Sequence, residues 1–329
     1  MLVAVLHDLV SQEDAGPDHK DVLVQAEAVS SALRELGYDP LSISASLDFS
    51  ALTKKLKDLR PSFVFNLVES VEGHGRLIYL PPALLDCLRI PYTGSGTDAI
   101  YMTTNKLAAK KALRNSGIRT PHSFSGKDLE QTPAFLPGPY IVKSVWEHAS
   151  IGLDEESVKI ASHPGDLLAR IREMEARLGT DCFAESYIEG REFNLSVIAA
   201  EGGAQVLPPA EIRFEEYPEG KKRIVGYRAK WLEGSFEYHH TVRTFDFPPS
   251  DHALLQSLSD IAVMCWSLFD LRGYARVDFR VDAGGIPWVL EVNANPCLSP
   301  DAGFAAAATR ADLPFTKVVE RIVQDTEGL

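Results

Sequence analysis

The chain has 329 residues, of which 45% are hydrophobic and 24% charged, and its formal net charge is −13. A chain of this length buries two or three hydrophobic cores, since single cores seldom grow beyond about 250–300 residues. The acidic balance argues against duplex nucleic acid as a partner, because such binding relies on many lysines and arginines. A small anion, held by a few cations in one cleft, is still compatible with this charge.

Neither the termini nor the cysteines indicate export or membrane insertion. The first residues, MLVAVLHD, lack the basic region and the long apolar segment of a secretory signal. The longest apolar stretch in a predicted helix, 261–269, is too short to cross a bilayer. The four cysteines are far apart and form no CxxC pair. We therefore expect a cytoplasmic protein with reduced thiols.

The first ninety residues alternate strand and helix patterns. Apolar runs at 2–6, 41–45 and 62–68 predict strands, and the periodicity of 21–36 predicts a helix ending at Gly37. Such alternation is typical of a parallel sheet covered by helices. The turn-rich sequence IPYTGSG closes this unit, which gives an N-terminal α/β domain at 1–95.

A smaller α+β domain is predicted at 96–180. Its patterns are a helix from Thr97 to Ser116, the strand YIVKS, a small-residue loop at 148–152, a strand near Val158 and a helix from Asp166 to Leu178. The third domain, 181–329, opens with AESYIEGREFNLS, which predicts a surface hairpin turning at Glu189-Gly190. A charged stretch at 211–234, a buried helix near 250–269 and a final hairpin follow.

The final hairpin, YARVDFRVDAGGIPWVLEVNANP, carries the most informative pattern. Arg276, Asp278 and Arg280 alternate with apolar residues, and Trp288, Leu290 and Val292 are predicted to face the core on the second strand. If the turn is Ala283 to Ile286, Asp278 lies opposite Glu291 and Arg276 lies opposite Asn293. Directly opposed side chains are close neighbours, so these four groups share one patch.

Two opposed carboxylates repel each other unless a positive charge lies between them. A hard divalent cation fits this need, with oxygen ligands from Asp278, Glu291 and Asn293, and Mg²⁺ leaves positions for substrate phosphates. The alternative is a solvent-facing strand on which Arg276 neutralises both acids. A slip of one residue in the pairing would scatter the patch.

A nucleotide on such a metal requires cations and a phosphate-binding loop upstream. Lys143 ends the strand YIVKS and precedes the loop 148–152, whose exposed N–H groups are suited to phosphate oxygens. Lys106 is one of three lysines on a predicted helix, most of them expected in solvent. The sequence contains no GxSxG, no GxxxxGK[ST] and no HExxH motif, so other familiar nucleophile, nucleotide or zinc sites are not predicted.

Taken in order, these segments resemble the ATP-grasp enzymes, and most of all the D-alanine–D-alanine ligase branch. The matching pieces extend from about Asn66 to Ile322: IPYTGSG, the helix with Lys106, YIVKS, EHASIG, ESYIEGREF, YRAKW, GYARVDF and LEVNANP. The resemblance implies the ATP-grasp fold, with three α/β or α+β domains and ATP held between the central and C-terminal ones. By analogy, a homodimer is one expected assembly.

The resemblance also assigns roles to individual residues. It implies phosphate contacts from Lys106, Lys143 and the loop with Ser150 and Gly152, adenine contacts from Glu185, Ser186 and Ile188, and a ribose contact from Glu192. It implies that Lys230 reaches the γ-phosphate, that Arg276 stabilises the transferred phosphoryl group, and that Asp278, Glu291 and Asn293 ligate Mg²⁺, with Mn²⁺ as an alternative.

The implied reaction is amide formation between a small-molecule carboxylate and an amine, through an acyl phosphate made from ATP. We expect both substrates to be amino acids. The stretch 211–234 is a candidate lid that excludes water. Several family positions differ: His148-Ala149-Ser150, Trp231, Cys297 and Ala302 replace the usual residues, and HDLVSQEDAG lacks the usual glycine-rich segment. We therefore predict substrates other than two D-alanines. The alternatives are a genuine D-alanine–D-alanine ligase and an ATP-binding protein without catalysis.

Overall fold

The computed structural model describes residues 1–10, 17–131, 135–147 and 152–326. Its first sheet is parallel, with order β2-β1-β3, and the side chains of Val3 to Leu6 in its central strand are almost completely buried. The predicted strands and helix of this region are confirmed. The elements are β1 (Leu2–Asp8), α1 (Pro17–Glu35), β2 (Asp39–Ala45), α2 (Phe49–Leu59), β3 (Phe63–Asn66) and α3 (Leu80–Leu88).

The helix predicted from Thr97 to Ser116 is in fact two helices, α4 (Thr97–Thr104) and α5 (Lys106–Asn115). They separate at Asn105, whose backbone is extended and whose side chain accepts a hydrogen bond from the N–H of Ala108 at 3.0 Å. Asparagine favours this capping position because its side chain satisfies an N–H that the first turn leaves unpaired. Lys106 is therefore the first residue of a new helix.

The second sheet is antiparallel, with order β4-β7-β5-β6. Its α7 helix packs on the sheet through Leu167, Ile171 and Met174, which are buried. The elements are β4 (Ser123–Ser125), α6 (Gly126–Gln131), β5 (Gly138–Ser144), β6 (Val158–Ala161), α7 (Pro164–Leu178) and β7 (Cys182–Ser186).

The third sheet has six strands in the order β11-β10-β8-β12-β13, with β9 paired to β8. The predicted helix near 250–269 is confirmed as α10, but it is buried on one face only, since Leu258, Ala262 and Cys265 are buried while Val263 and Met264 are exposed. Helix α12 returns to pack against α1 beside the first sheet. The elements are β8 (Arg191–Ala200), β9 (Gly203–Val206), β10 (Ala210–Phe214), α8 (Tyr227–Trp231), α9 (Phe236–His240), β11 (Thr241–Thr244), α10 (His252–Leu268), β12 (Tyr274–Val281), β13 (Pro287–Asn293), α11 (Gly303–Arg310) and α12 (Phe315–Gln324).

The surface hairpin predicted at Glu189-Gly190 is wrong, because β7 and β8 belong to different sheets. Glu185 pairs with Ile141 of β5, and Asn194 pairs with Asp278 of β12. The chain crosses between the sheets at 187–190, where a Cβ on Gly190 would lie 1.9 Å from the carbonyl oxygen of Val281. Close approach of two backbones, and not a two-residue turn, accounts for this glycine. The division into three domains stays a prediction.

The final hairpin has the predicted register where the polar groups lie. Asp278 pairs with Glu291, and Arg276 pairs with Asn293. A β-bulge after Asp278 then shifts the pairing, so that Phe279 lies opposite Val289. The bulge reverses the predicted faces near the turn: Val289 is buried, while Trp288 and Leu290 are only half-buried.

The predicted irregular stretch 211–234 begins with ordered strand, since β10 extends to Phe214 and pairs with β8 and β11. The candidate lid is therefore confined to residues 215–234, which include α8. None of the helices in the described ranges is long and apolar enough to span a membrane.

Candidate active site

Four polar residues share one face of the final hairpin, and we call this face the ribbon: Arg276, Asp278, Glu291 and Asn293. Arg276 donates from Nε and Nη2 to the two oxygens of Asp278, both at 2.8 Å, and Asn194 donates to Asp278 Oδ1 at 2.7 Å. Burial opposes the charge of the Arg276 guanidinium, but the paired Asp278 holds its pKa above the usual value. The strand register thus produces a fixed, charged patch.

Asn295, which the sequence analysis missed, fixes the end of the ribbon. Its N–H donates to Oδ1 of Asn293 at 3.0 Å, and its side-chain amide donates to the carbonyl of Val68 at 2.8 Å. The hydroxyl of the buried Tyr274 donates to Oδ1 of Asn295 at 2.6 Å. This chain of hydrogen bonds ties the ribbon to the loop after β3. The sequence signal for this role is a second asparagine two positions after the predicted ligand Asn293.

Lysines from other elements surround Glu291. The negative charge of Glu291 favours the charged form of three predicted site residues from distant segments, Lys106, Lys143 and Lys230. Burial is the largest influence on Lys106 and Lys230 and leaves the pKa of each below its usual value. The three predicted lysines are therefore within electrostatic reach of the ribbon.

Lys143 forms part of a buried ion cluster. Its Nζ lies 2.5 Å from Oε1 of Glu185, and Nζ of Lys110 lies 2.7 Å from Oε2 of the same carboxylate. Burial opposes the charge on Lys143, yet Glu185 and the other acids outweigh it and raise its pKa. The carboxylate of Glu185, predicted to meet adenine, is thus held by two lysines.

The prediction that most lysines of the 106–111 helix lie in solvent is wrong. Lys106 and Lys110 are buried and only Lys111 is exposed. Lys106 donates from Nζ to the carbonyl of Glu147 at 2.6 Å. Lys110 escaped the sequence analysis because its partner Glu185 lies 75 positions away, beyond the reach of helical periodicity.

Glu192, the predicted ribose contact, is buried on β8 and lies 2.7 Å from Nη2 of Arg280. Arg280 also donates to the carbonyls of Gly190 and Arg223, which links the crossing of the two sheets to the candidate lid. Ile224 of the lid packs with Ile141, Val158 and Tyr187. The cleft is therefore bounded by both sheets and by the lid.

The remaining predicted nucleotide residues are less closely tied to the cleft. The N–H of Ser186 donates to the carbonyl of His122 at 2.8 Å, and Ile188 is half-buried in the crossing segment. Gly152 has a φ of +72°, a backbone conformation that favours glycine, and a Cβ there would push against the side chain of Leu178 at 2.9 Å. Ser150 lies outside the described residues.

The donor set of the ribbon fits a hard cation. Asp278, Glu291 and Asn293 offer two carboxylates and one amide oxygen on one face, which is the ligand chemistry of Mg²⁺. A cation would share Asp278 with Arg276, which engages both carboxylate oxygens. Among the described residues there is no group of three His, Cys, Asp or Glu placed to hold a metal, so an amide ligand would complete the set.

A second group of acids, which the sequence analysis did not select, lies beside Arg276. Oδ2 of Asp21 on α1 accepts from the thiol of Cys297 at 3.0 Å, and Glu69 accepts from Gln25 at 3.1 Å. Burial and the nearby Asp8 raise the pKa of the Glu69 carboxyl to about 7. These residues join α1 and the loop after β3 to the ribbon.

The raised pKa of Glu69 predicts a pH-dependent stability. The folded state favours the protonated carboxyl, so stability is lost as the pH rises from about 4.5 through about 7. We expect Glu69→Gln to be more stable than the wild type at pH 8, by up to about 3 kcal/mol, and equal to it at pH 4. Urea unfolding midpoints at both pH values measure this. Glu27→Gln, which changes an exposed glutamate of α1, is the control, and an equal gain there would contradict the assignment.

The chain matches the family model described as the D-ala D-ala ligase C-terminus over residues 116–324. It is 28% identical over 305 residues to the D-alanine–D-alanine ligase of Aquifex aeolicus, covering 92% of this chain and 94% of the relative.

Solved structures share the fold. The D-alanine–D-alanine ligase of Bacillus anthracis superposes with a TM-score of 0.73 at 22% identity, covering 99% of this chain and 97% of that one. The same enzyme complexed with ATP gives a TM-score of 0.70, covering 99% and 96%. A D-Ala:D-Ser ligase of Enterococcus faecalis gives 0.68 at 17% identity, covering 98% of each chain.

The family match, the relatives and the shared fold together define an ATP-grasp enzyme, an ATP-dependent ligase that forms carbon–nitrogen bonds. The chain belongs to the D-alanine–D-alanine ligase family, because the family model covers well over half of its length.

Proposed function

We propose that this protein joins a carboxylate and an amine, both amino acids or close analogues, through an acyl phosphate. The observation that carries the proposal is that Lys110 contacts both Glu185, the partner of Lys143, and the carbonyl of Leu290 beside Glu291, which joins the lysine strand to the ribbon. Lys106 and Lys230 also interact electrostatically with Glu291. Cations from three separate elements around one acidic ribbon are what a metal-bound triphosphate requires. We further propose that the protein acts in the cytoplasm. The homodimer stays a prediction.

The proposed reaction has two steps. An oxygen of the substrate carboxylate attacks the γ-phosphorus of ATP, the bond to the β,γ-bridging oxygen breaks, and ADP leaves. The amine nitrogen then attacks the acyl carbon, phosphate leaves with the former carboxylate oxygen, and the nitrogen loses a proton. Positioning and charge stabilisation provide the catalysis in such transfers.

The residues of this chain divide that work by charge. Lys106 and Lys143 neutralise ATP phosphates, and Lys230 on the lid acts at the γ-phosphate. Arg276 stabilises the transferred phosphoryl group and the tetrahedral intermediate. The crossing segment with Ser186 and Ile188 contacts adenine, and Glu185 lies beside it, paired with Lys143. Glu192 accepts a hydrogen bond from the ribose. Residues 215–234 exclude water from the cleft. Ser150 and Gly152 belong to the proposed phosphate loop.

Asp278, Glu291 and Asn293 would hold Mg²⁺. When bound, the metal supplies positive charge that neutralises the transferred phosphoryl group. Pairing with Arg276 fixes the orientation of the Asp278 carboxylate along the ribbon.

We propose a substrate pair other than two D-alanines. The support is the Cys297 thiol, which stands where the resemblance implies glycine and donates to Asp21, together with the half-buried Glu69 beside Arg276. The D-Ala:D-Ser ligase of Enterococcus faecalis has the same fold, so this scaffold tolerates a changed amino-acid pocket. A genuine D-alanine–D-alanine ligase is the alternative.

One assay distinguishes the candidates. Purified protein is incubated with ATP, Mg²⁺ and pairwise panels of D- and L-amino acids, and ADP release and product mass are measured. We expect ADP release coupled to a condensation product from a pair that is not two D-alanines. Fast formation of the D-alanine dipeptide would overturn the substrate proposal. ATP binding without turnover of any pair would favour a protein that has lost catalysis.

A further inference from the structure

Lys110 occupies a buried position between three oxygen atoms. Its Nζ lies 2.7 Å from Oε2 of Glu185 and donates to Oγ1 of Thr120 and the carbonyl of Leu290, both at 3.0 Å. Its side chain is 1% exposed. An ammonium has three N–H donors, whereas a neutral amine has two. Burial lowers the pKa of Lys110, whereas the ion pair with Glu185 and the two hydrogen bonds favour its charged form.

The charges of the cluster do not cancel. Glu185 provides one negative charge, and Lys110 and Lys143 provide two positive charges. If Glu185 had only Lys143 as a partner, the pair would be neutral, and the carboxylate would cancel the charge that Lys143 presents to a phosphate. With Lys110 bonded to the second carboxylate oxygen, the cluster keeps one net positive charge at Lys143, which is the less buried of the two lysines.

Lys110 also joins the two sides of the cleft. It belongs to α5, Glu185 belongs to the second sheet, and Leu290 lies on β13 directly before the ribbon residue Glu291. One side chain therefore connects the strand pair that carries Lys143 to the strand that carries Glu291. Its loss would change both the charge and the spacing between these two groups.

We propose that Lys110 is a positioning residue for ATP binding, which shares Glu185 with Lys143 so that Lys143 presents its charge to a phosphate group. This role rests on the proposed function, because it requires that ATP phosphates lie against Lys143. Lys110 itself is enclosed by protein oxygens and contacts no substrate. Its effect reaches the nucleotide only through Glu185, Lys143 and β13.

The direct test measures binding of ATP with Mg²⁺ by calorimetry, without amino-acid substrates, on the full chain. Lys110→Met keeps the length of the side chain and removes its charge. We expect ATP binding to weaken by about tenfold or more, since one charge near the phosphates is lost. Lys111→Met, on the exposed neighbour in the same helix, is the matched control and should bind ATP as the wild type does.

A double variant separates positioning from a structural role. In Lys110→Met with Glu185→Gln, the amide at position 185 keeps the shape and polar atoms of the side chain but no longer neutralises Lys143, so ATP affinity should return to within about fivefold of the wild type. A purely structural role predicts the opposite, because the double variant loses more hydrogen bonds than the single one. Far-UV circular dichroism and thermal unfolding check that each variant folds.

Each result has a defined meaning. Unchanged ATP binding in Lys110→Met overturns the inference while leaving the proposed function intact. A double variant no better than the single one also overturns it. If Lys110→Met does not fold, the double variant is compared with the wild type alone, and a loss beyond fivefold contradicts the proposal. No ATP binding by the wild type would instead overturn the proposed function, and the role of Lys110 with it.

Discussion

Replacing Asp278 by Asn or Glu291 by Gln is expected to reduce acyl-phosphate formation by about a thousandfold or more. Each change removes one of the two negative charges that would hold the divalent cation, and metal stabilisation of a transferred phosphoryl group contributes several kcal/mol, at about 1.4 kcal/mol per tenfold in rate. In Asp278→Asn the guanidinium of Arg276 also loses its paired charge, so it would repel an incoming cation. Trapping of the acyl phosphate with hydroxylamine measures the loss.

The control is Asp246→Asn, which removes an exposed carboxylate paired with Arg310 at 3.1 Å and leaves the ribbon unchanged. Hydroxamate formation should stay within about twofold of the wild type, because exposed ion pairs contribute little. Full trapping activity in both ribbon variants would show that the metal is held elsewhere. Thermal unfolding of every variant establishes that a loss of activity is not a loss of fold.

The ribbon was predictable from sequence because its geometry is local. Two strands joined by a short turn must pair antiparallel, and alternation then fixes which side chains share a face. The opposed pair Asp278 and Glu291 follows from that rule alone, and the structure confirms it. The bulge after Asp278 was not predictable, since β-bulges depend on packing that a period-two pattern does not record. Its effect is confined to the faces of Trp288 and Leu290.

The failures arise where non-local packing overrides a local pattern. Glu189-Gly190 has the sequence of a hairpin turn, yet Gly190 is needed for close approach to Val281, and the flanking strands join different sheets. The buried Lys110 has the same origin, because its burial depends on Glu185 and Leu290 from distant parts of the chain. Hydrophobic periodicity treats every lysine as a surface residue and has no means of detecting a buried partner.

Arg276→Met is expected to cause the second large loss of activity, and the loss should appear in kcat and not in the KM for ATP. Arg276 is paired with Asp278 and interacts electrostatically with Glu69, Glu291 and Lys230, so it lies where the lid lysine meets the ribbon. We expect kcat to fall by about a thousandfold while KM for ATP changes by less than about threefold. The reason is that a group acting only in the transition state affects kcat and leaves the ground-state binding of ATP unchanged.

The same variant should bind a divalent cation more tightly. Arg276 engages both oxygens of Asp278 at 2.8 Å, so it competes with a metal for that carboxylate, and its removal leaves Asp278 with a full negative charge. Titration with Mn²⁺, followed by electron paramagnetic resonance, should show an increase in affinity of about tenfold. Arg191→Met removes an equivalent two-bond pair with Glu211 on neighbouring strands and should change neither kcat nor Mn²⁺ affinity. Weaker Mn²⁺ binding in Arg276→Met would contradict this prediction. It would mean that Asp278 only pairs with Arg276 and does not ligate the cation, which would leave Glu291 and Asn293 as the ribbon's ligands.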